Sequence, residues 1–220
     1  MRAFLGTCYA RCVSTVVPEV LTRLPAPKRH EKTVYLTFDD GPTDEGTPEL
    51  LDVLSKHDIR AMFFLVGSQA TRYPHRVREI LSAGHLIGNH TYSHVDAWSV
   101  SNRVLCRELI RCSRTLEDIV SAKLKWMRPP FGRVTAPMLA WSRRNRQQML
   151  LWDVMPPDFE AGTTAERFNR VVIGGVRPGS VVCMHDNPQS RWVTASALRT
   201  CLPRLMSEGW RFDTPILTAA

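Results

Sequence analysis

The chain has 220 residues, of which 44% are hydrophobic and 23% charged, so it can form one compact domain without disulfide support. This composition excludes intrinsic disorder and a coiled coil, and six cysteines are too few for a disulfide-rich scaffold. No apolar run reaches the ~20 residues that a membrane-spanning helix needs. The net charge is +8, with 24 arginines against 5 lysines, which raises the question of a nucleic-acid or other polyanionic partner.

The first 31 residues are predicted to form an N-terminal segment. The main domain is predicted to cover residues 32–220. The start, MRAFLGTCYARCVSTVV, resembles a weak signal peptide, but Arg11 interrupts its apolar stretch and no typical cleavage site follows. The alternative is a short helix over about residues 18–24, packed on the outside of the domain. Pro25, Pro27 and the charges of residues 28–32 then predict a linker into the first strand.

From Thr33 onward, short β-rich runs alternate with longer segments that have helical spacing. The β-rich runs are TVYLTF, IRAMFFLV, HLIG, KWMR, QMLLWDV, SVVCM and WRF. The helical segments between them include TPELLDVLSKH, RVLCRELIRCSRTLEDIV and AERFNRVVIGGV. This alternation predicts an α/β fold with a parallel sheet, either a barrel or a doubly wound sheet.

Polar or Gly/Pro-rich clusters directly follow five of these β-rich runs. They are Asp39–Asp40, Asn89–His90, Pro129–Phe131, Asp158 and His185–Asp186. In parallel α/β folds the carboxyl ends of the strands form one rim, and functional sites are built there. We therefore expect clusters that are far apart in the sequence to converge in space.

Two of the clusters point to a metal site. Asp39 and Asp40 are adjacent carboxylates in TFDDGP, and the Gly-Pro turn that follows can direct both toward the rim. In NHTYSH, His90 and His94 are four residues apart, a spacing that places both imidazoles on one face of a helical turn. Two histidines with one carboxylate suit Zn²⁺ or another divalent transition ion. Taken singly, the Asp-Asp turn is equally typical of a capped turn with two solvated aspartates, and the two histidines are typical of a pair on the protein surface.

Three further motifs supply groups that can pair with a carboxylate, stabilise an oxyanion or donate a proton. Arg128 precedes the rigid Pro-Pro turn of RPPFGR and can pair a carboxylate bidentately, while the Phe131 N–H is a candidate oxyanion donor. LWDVMPPDF contributes Asp153 and Asp158. His185, in VVCMHD, follows an apolar strand and is a candidate general acid, because a carboxylate partner can set its pKa near neutrality.

In this order and spacing, TFDDGP, the H-x-x-x-H of NHTYSH, RPPF and the late HD resemble the polysaccharide deacetylases of the NodB-homology type, carbohydrate esterase family 4. The resemblance covers about residues 32–212. It implies a distorted (β/α) barrel of about seven parallel strands. It also implies a hydrolase that removes acetyl groups from N-acetylated sugars in chitin oligomers or peptidoglycan, although some relatives act on xylan esters or non-sugar amides.

The resemblance also implies a role for each motif residue. Asp39 matches the catalytic base, and Arg128 matches the arginine that orients it. Asp158 matches the aspartate that tunes the acid, and His185 matches the general acid. The implied ligands of a divalent metal, with Zn²⁺ favoured and Co²⁺ as an alternative, are Asp40, His90 and His94. These roles agree with the chemistry of amide hydrolysis, which needs an activated water, oxyanion stabilisation and a proton for the leaving amine.

Two departures from the family pattern concern the substrate. Cys183 replaces the usual leucine of the acetyl pocket, and Phe159 replaces the usual tryptophan after the tuning aspartate. Both leave the identity of the sugar and of the acyl group open. Trp98 and Trp192 are expected in loops after site motifs, where they are candidates for stacking on a sugar ring.

The arginine surplus has a structural explanation. Arginines recur at helical spacing in the long helical segment, at Arg103, Arg107, Arg111 and Arg114. Because Leu105, Leu109 and Leu116 fall on the opposite face, the pattern predicts an amphipathic helix with a solvated outer side. No nucleic-acid-binding signature accompanies it, so an N-acetylated carbohydrate is the predicted partner and nucleic acid is not.

Two other functions remain as alternatives: a deacylase of a small non-sugar amide or O-acetyl ester on the same scaffold, and a non-catalytic glycan- or polyanion-binding protein. The six cysteines show no zinc-finger spacing and are predicted to be free thiols. Free thiols favour a cytoplasmic location, with a secreted or envelope-associated location as the alternative. The sequence specifies no oligomeric state.

Overall fold

The computed structural model describes residues 2–25 and 31–215, and within them strands and helices alternate along the chain. The strands are β1 (Val20–Leu21), β2 (Thr33–Asp39), β3 (Met62–Leu65), β4 (Leu86–Asn89), β5 (Trp126–Met127), β6 (Gln148–Leu150), β7 (Ser180–His185) and β8 (Arg211–Phe212). The helices are α1 (Arg2–Val16), α2 (Gly46–Ser55), α3 (Gly67–Arg72), α4 (Pro74–Ser82), α5 (Asn102–Val120), α6 (Ala136–Asn145), α7 (Ala165–Gly175) and α8 (Arg191–Ser207). A 3₁₀ turn covers Pro130–Gly132.

The strands form a curled parallel sheet in the order β1-β6-β5-β4-β3-β2-β7, and β8 pairs with β2. A parallel bridge between Val154 and Val182 joins the chain after β6 to β7, so the two sides of the sheet approach each other. The predicted distorted (β/α) barrel of about seven parallel strands is therefore confirmed.

Side-chain alternation in β2 determines which groups face the inside of the barrel. Val34, Leu36 and Phe38 belong to the apolar cluster between the sheet and the helices. Tyr35 belongs to the other cluster, which also contains side chains of β3, β6 and β7. Since successive strand residues point to opposite faces, Asp39 shares the inner face of β2 with Tyr35.

The long amphipathic helix is confirmed as α5. Leu105, Leu109 and Leu116 are buried, whereas the four arginines at the predicted outer positions are exposed. Ser101 caps the helix, because its hydroxyl accepts a hydrogen bond from the Val104 N–H at 3.4 Å. Four of the 24 arginines therefore lie on a solvated helix face. In the part of the chain that the structure describes, every helix is too short or too polar to cross a lipid bilayer.

The prediction of a helix over about residues 18–24 is wrong. The N-terminal helix is α1, and the chain then forms β1, in which Val20 pairs with Met149 of β6. The unpaired edge of β6 explains the difference, because an extended segment satisfies its backbone hydrogen bonds and a helix does not. The domain boundary after residue 31 stays a prediction, since most of the expected linker, residues 26–30, lies outside the described residues.

Asp153 holds the N-terminal segment against the barrel. Its carboxylate accepts hydrogen bonds from the Ser180 hydroxyl and the Val181 N–H, both at 2.9 Å. The Arg23 guanidinium lies 3.5 Å from the same carboxylate, and Arg11 donates to the Asp153 carbonyl at 3.0 Å. Burial raises the pKa of Asp153. This residue of the LWDVMPPDF motif thus has a structural role away from the rim.

Candidate active site

A cavity of about 660 Å³ opens at the carboxyl ends of β2, β4 and β7. It brings together most of the residues that the motifs single out, although they are far apart in the sequence. The predicted site residues on its wall are Asp39, Asp40, His90, His94, Phe131, Phe159 and His185. The remaining three, Arg128, Asp158 and Cys183, are buried behind this wall.

Asp40, His90 and His94 form the only three-residue cluster of acidic, histidine or cysteine ligands found in the described part of the chain. Their ligand atoms all lie within 4.8 Å of one another. Asp40 Oδ1 is 3.0 Å from His94 Nε2 and 3.5 Å from His90 Nε2. Burial raises the pKa of Asp40, but hydrogen bonds from both histidines outweigh it and hold that pKa well below its usual range. Two imidazole nitrogens and one carboxylate oxygen fit a divalent transition metal.

Residues 90–94, which all lie in the described part of the chain, do not form the expected helical turn between the two histidines. His90 follows β4 directly, and the loop after it contains two residues in the left-handed region, Thr91 (φ 63°) and His94 (φ 55°). The buried Asn89 fixes the loop, because its Oδ1 accepts the Thr91 N–H at 2.8 Å and its Nδ2 donates to the Leu109 carbonyl at 2.9 Å. A specific loop therefore brings the two imidazoles together.

The orientation of His90 follows from its second ring nitrogen. His90 Nδ1 lies 2.8 Å from the carbonyl oxygen of Arg128. A carbonyl can only accept, so Nδ1 carries a proton, and in the neutral form of the ring Nε2 then has the free lone pair. This is the tautomer that a metal ligand requires.

Arg128 is fully buried and pairs with Asp39. Its Nη1 donates to Asp39 Oδ1 and to Thr37 Oγ1, both at 2.7 Å. Nε donates to the Leu150 carbonyl at 2.8 Å, and Nη2 donates to the Leu151 carbonyl at 2.9 Å. The expected bidentate pairing is not formed, because these backbone carbonyls take the donors that would otherwise reach the second carboxylate oxygen.

The second oxygen of Asp39 faces Cys183 and His90. The Cys183 thiol donates to Asp39 Oδ2 at 3.3 Å, and His90 Nε2 lies 4.0 Å from the same oxygen. Burial and the charge of Asp39 raise the pKa of the thiol well above its usual value, so Cys183 is a neutral donor. Cys183 is 1% exposed, and its position is behind the base and not on the cavity wall.

His185 and Asp158 form a second pair, in which the buried Asp158 lies behind the partly exposed imidazole. His185 Nδ1 is 2.9 Å from Asp158 Oδ1, while the His185 backbone N–H and the Thr194 hydroxyl donate to Oδ2 at 2.8 and 3.0 Å. Burial lowers the pKa of His185, but the charge and hydrogen bond of Asp158, together with the charges of Asp40 and Asp39, raise it to about 9. The imidazole is therefore protonated at neutral pH and can supply a proton.

Two aromatic rings complete the wall around these groups. The Phe131 ring packs edge-on against His94 at 4.9 Å, and the Phe159 ring packs against His185 at 5.2 Å, both between ring centroids. Trp98 lies in a loop as expected, against Tyr9 and Arg133. Trp192 does not lie in a loop, since it is the second residue of α8.

Asp186 is a site residue whose role the sequence reasoning missed. It is fully buried, accepts hydrogen bonds from the hydroxyls of Thr43 at 2.9 Å and Thr47 at 2.5 Å, and donates its N–H to the Asp39 carbonyl at 2.7 Å. A Cβ at Gly41 would lie 2.4 Å from its Oδ2, so the TFDDGP turn needs glycine there. Burial raises the pKa of Asp186 to about 6. The signal in the sequence that could have identified Asp186 is its position directly after His185 in VVCMHD.

Comparison with known proteins identifies the family of this chain. The family model described as polysaccharide deacetylase matches residues 26–150. The chain belongs to the polysaccharide deacetylase family. The predicted family and the predicted enzyme class, a hydrolase of N-acetyl groups, are therefore confirmed.

Two curated relatives and one solved structure show how far the similarity extends. A peptidoglycan-N-acetylglucosamine deacetylase of Bacillus cereus is 36% identical over 182 residues, covering 82% of this chain but only 66% of that protein. A chitooligosaccharide deacetylase of a Bradyrhizobium species is 32% identical over 191 residues, covering 81% of this chain and 87% of that protein. A crystal structure of a peptidoglycan N-acetylglucosamine deacetylase superposes with a TM-score of 0.85 at 32% identity, covering 91% and 93% of the two chains.

Replacing Arg128 by methionine should destabilise this deacetylase strongly. The variant leaves the Asp39 carboxylate and two backbone carbonyls buried without their donor, so we expect the free energy of unfolding to fall by about 3–5 kcal/mol. Urea denaturation in the presence of a chelator measures this without a contribution from bound metal. The control is Arg103→Met on the exposed face of α5, expected within about 0.5 kcal/mol of the unchanged protein. An equally small effect at Arg128 would contradict the importance of the buried pair.

Proposed function

We propose that this chain is a zinc-dependent deacetylase that acts on N-acetylglucosamine residues of peptidoglycan. The observation that carries the proposal is one cavity that joins Asp39, His185 and the Asp40–His90–His94 cluster. The donor set of that cluster supports zinc as the metal. The peptidoglycan deacetylases among the relatives support the substrate.

Asp39 would act as the base through a single carboxylate oxygen. Arg128 holds Oδ1, so Oδ2, which accepts a hydrogen bond from the weak Cys183 thiol donor, is the oxygen that would take the proton of the attacking water. A divalent ion bound by Asp40, His90 and His94 supplies Lewis-acid activation of water and of the acetyl carbonyl. The buried guanidinium keeps the base oriented, so little reorganisation is needed when the proton is transferred.

His185 would act as the acid through Nε2. Its Nδ1 is engaged with Asp158, so the Nε2 proton is the one available to the substrate. As the amide C–N bond breaks, that proton goes to the leaving nitrogen, and the products are acetate and the free amine. Phe159 provides an apolar wall beside the imidazole, and we assign the Phe131 N–H to the developing oxyanion.

A peptidoglycan substrate bears on the location of the protein. The enzyme must reach the cell wall, so the proposal favours the envelope-associated alternative over the cytoplasmic location that free thiols predict. The six cysteines all lie within the described residues, and none of them forms a disulfide there. The location remains a prediction.

Acetate release from a substrate panel tests the function directly. We expect the zinc-loaded protein to show a higher kcat/KM on peptidoglycan than on chitin oligomers, acetylated xylan or small N-acetyl amines, and chelator to abolish release. Faster release from small amines or xylan would favour the deacylase alternative. No release from any substrate, with bound zinc verified, would favour a non-catalytic glycan- or polyanion-binding protein.

Replacing Asp39 by asparagine should separate catalysis from metal binding. The amide cannot take a proton from water, so we expect kcat to fall by about 10²–10⁴-fold. Zinc content should stay at the level of the unchanged protein, because the three proposed ligands are intact. Acetate release and elemental analysis of the same preparation measure both quantities. Retained turnover at full zinc content would rule out Asp39 as the base.

Replacing Asp158 by asparagine should move the alkaline limit of activity. Protonated His185 is the active form, so activity is present below its pKa of about 9 and lost as the pH rises through that value. Without the Asp158 charge the pKa of His185 falls, although Asp40 and Asp39 still raise it, so the alkaline limb of kcat/KM should move to lower pH. Thr194→Val, which removes a neutral donor to Asp158, is the matched control and should keep the limb in place. An unmoved limb in the Asp158 variant would exclude His185 as the acid.

A further inference from the structure

The two carboxylate oxygens of Asp40 have different partners. Oδ1 faces the two imidazoles, at 3.0 Å from His94 Nε2 and 3.5 Å from His90 Nε2. Oδ2 accepts a hydrogen bond of 2.8 Å from the side-chain Nδ2 of Asn187. Asn187 also lies on the cavity wall, two residues after His185. Nothing in the motif pattern or in the comparisons assigns it a role.

The direction of the Asn187 amide is determined by its other end. Its Oδ1 accepts hydrogen bonds from the backbone N–H groups of Gln189 and Ser190, both at 3.0 Å. Since backbone N–H groups can only donate, the oxygen must face them and the NH₂ group must face Asp40. The Ser190 hydroxyl in turn donates to the His185 carbonyl at 2.8 Å, which ties this turn to the end of β7.

We infer that Asn187 is a positioning residue for the metal ligand Asp40. Its N–H donor occupies Oδ2, so that only Oδ1 is presented to an ion between the two histidines. A charge-assisted hydrogen bond of this kind holds the carboxylate in one rotamer before the metal binds. The inference rests on the proposed function in one respect, the assignment of Asp40 as a metal ligand.

Asn187 also caps a turn, so the experiment must separate the two contacts. Asn187→Ser keeps a side-chain oxygen that can accept from the same backbone N–H groups, but its hydroxyl is too short to reach Asp40. Asn187→Ala removes both contacts. Gln189→Ala changes a neighbouring side chain on the same cavity wall and leaves its backbone N–H in place, which makes it the matched control.

The measurement is the zinc dissociation constant of the metal-free protein, obtained by competition with a chelating dye in the absence of substrate. We expect both Asn187 variants to bind zinc about 10–100-fold more weakly than the unchanged protein. Gln189→Ala should stay within about twofold, and Asp40→Asn should lose more affinity than either Asn187 variant. Thermal unfolding in chelator checks that each variant is folded.

The outcomes distinguish this inference from the proposed function. Full zinc affinity in Asn187→Ser overturns it, whether or not Asn187→Ala is weakened, because the turn alone then accounts for Asn187. Full affinity in Asp40→Asn overturns it as well, since Asp40 is then not a ligand. If the unchanged protein binds zinc through Asp40 but releases no acetate from any sugar, the proposed function fails while weaker binding by Asn187→Ser still supports the positioning role.

Discussion

The ion pair between Arg128 and Asp39 lies inside the barrel, where burial of a charge is costly unless every polar atom finds a partner. The guanidinium meets this requirement with donors to Asp39, to Thr37 and to two carbonyls at the end of β6, those of Leu150 and Leu151. These partners come from different parts of the sheet, so the pair forms only when β2, β5 and β6 are in register. The position of the proposed base therefore depends on the assembly of the whole barrel.

The same residue connects the proposed base with the proposed metal cluster. The Arg128 carbonyl accepts from His90 Nδ1, while its side chain holds Asp39, the chain neighbour of Asp40. On the other side, the Asp186 N–H donates to the Asp39 carbonyl, and the next residue, Asn187, contacts Asp40. Backbone and side-chain hydrogen bonds thus couple the two centres, and a shift of either strand end would displace both.

Charged groups in the site have stronger electrostatic effects on one another than charged groups on the surface. The arginines of α5 are exposed and contribute to the net charge of +8 without contacting the cavity. In the site, buried carboxylates raise the pKa of His185 to about 9 despite its desolvation. A few buried groups at low dielectric interact far more strongly than many screened surface charges. The overall composition is therefore a poor guide to the chemistry of this protein.

The sequence by itself determined the alternation of strands and helices, the outer face of α5 and the positions of the motif residues at strand ends. These features could be predicted because hydrophobic periodicity and turn residues depend on the burial and backbone geometry of a single segment. Only the tertiary structure decided that residues 20–21 pair with β6, that Arg128 uses one carboxylate oxygen, and that Asp186 and Asn187 support the TFDDGP turn. Each of these depends on hydrogen-bond partners from distant segments, and local propensity carries no information about which donors and acceptors those segments leave unpaired.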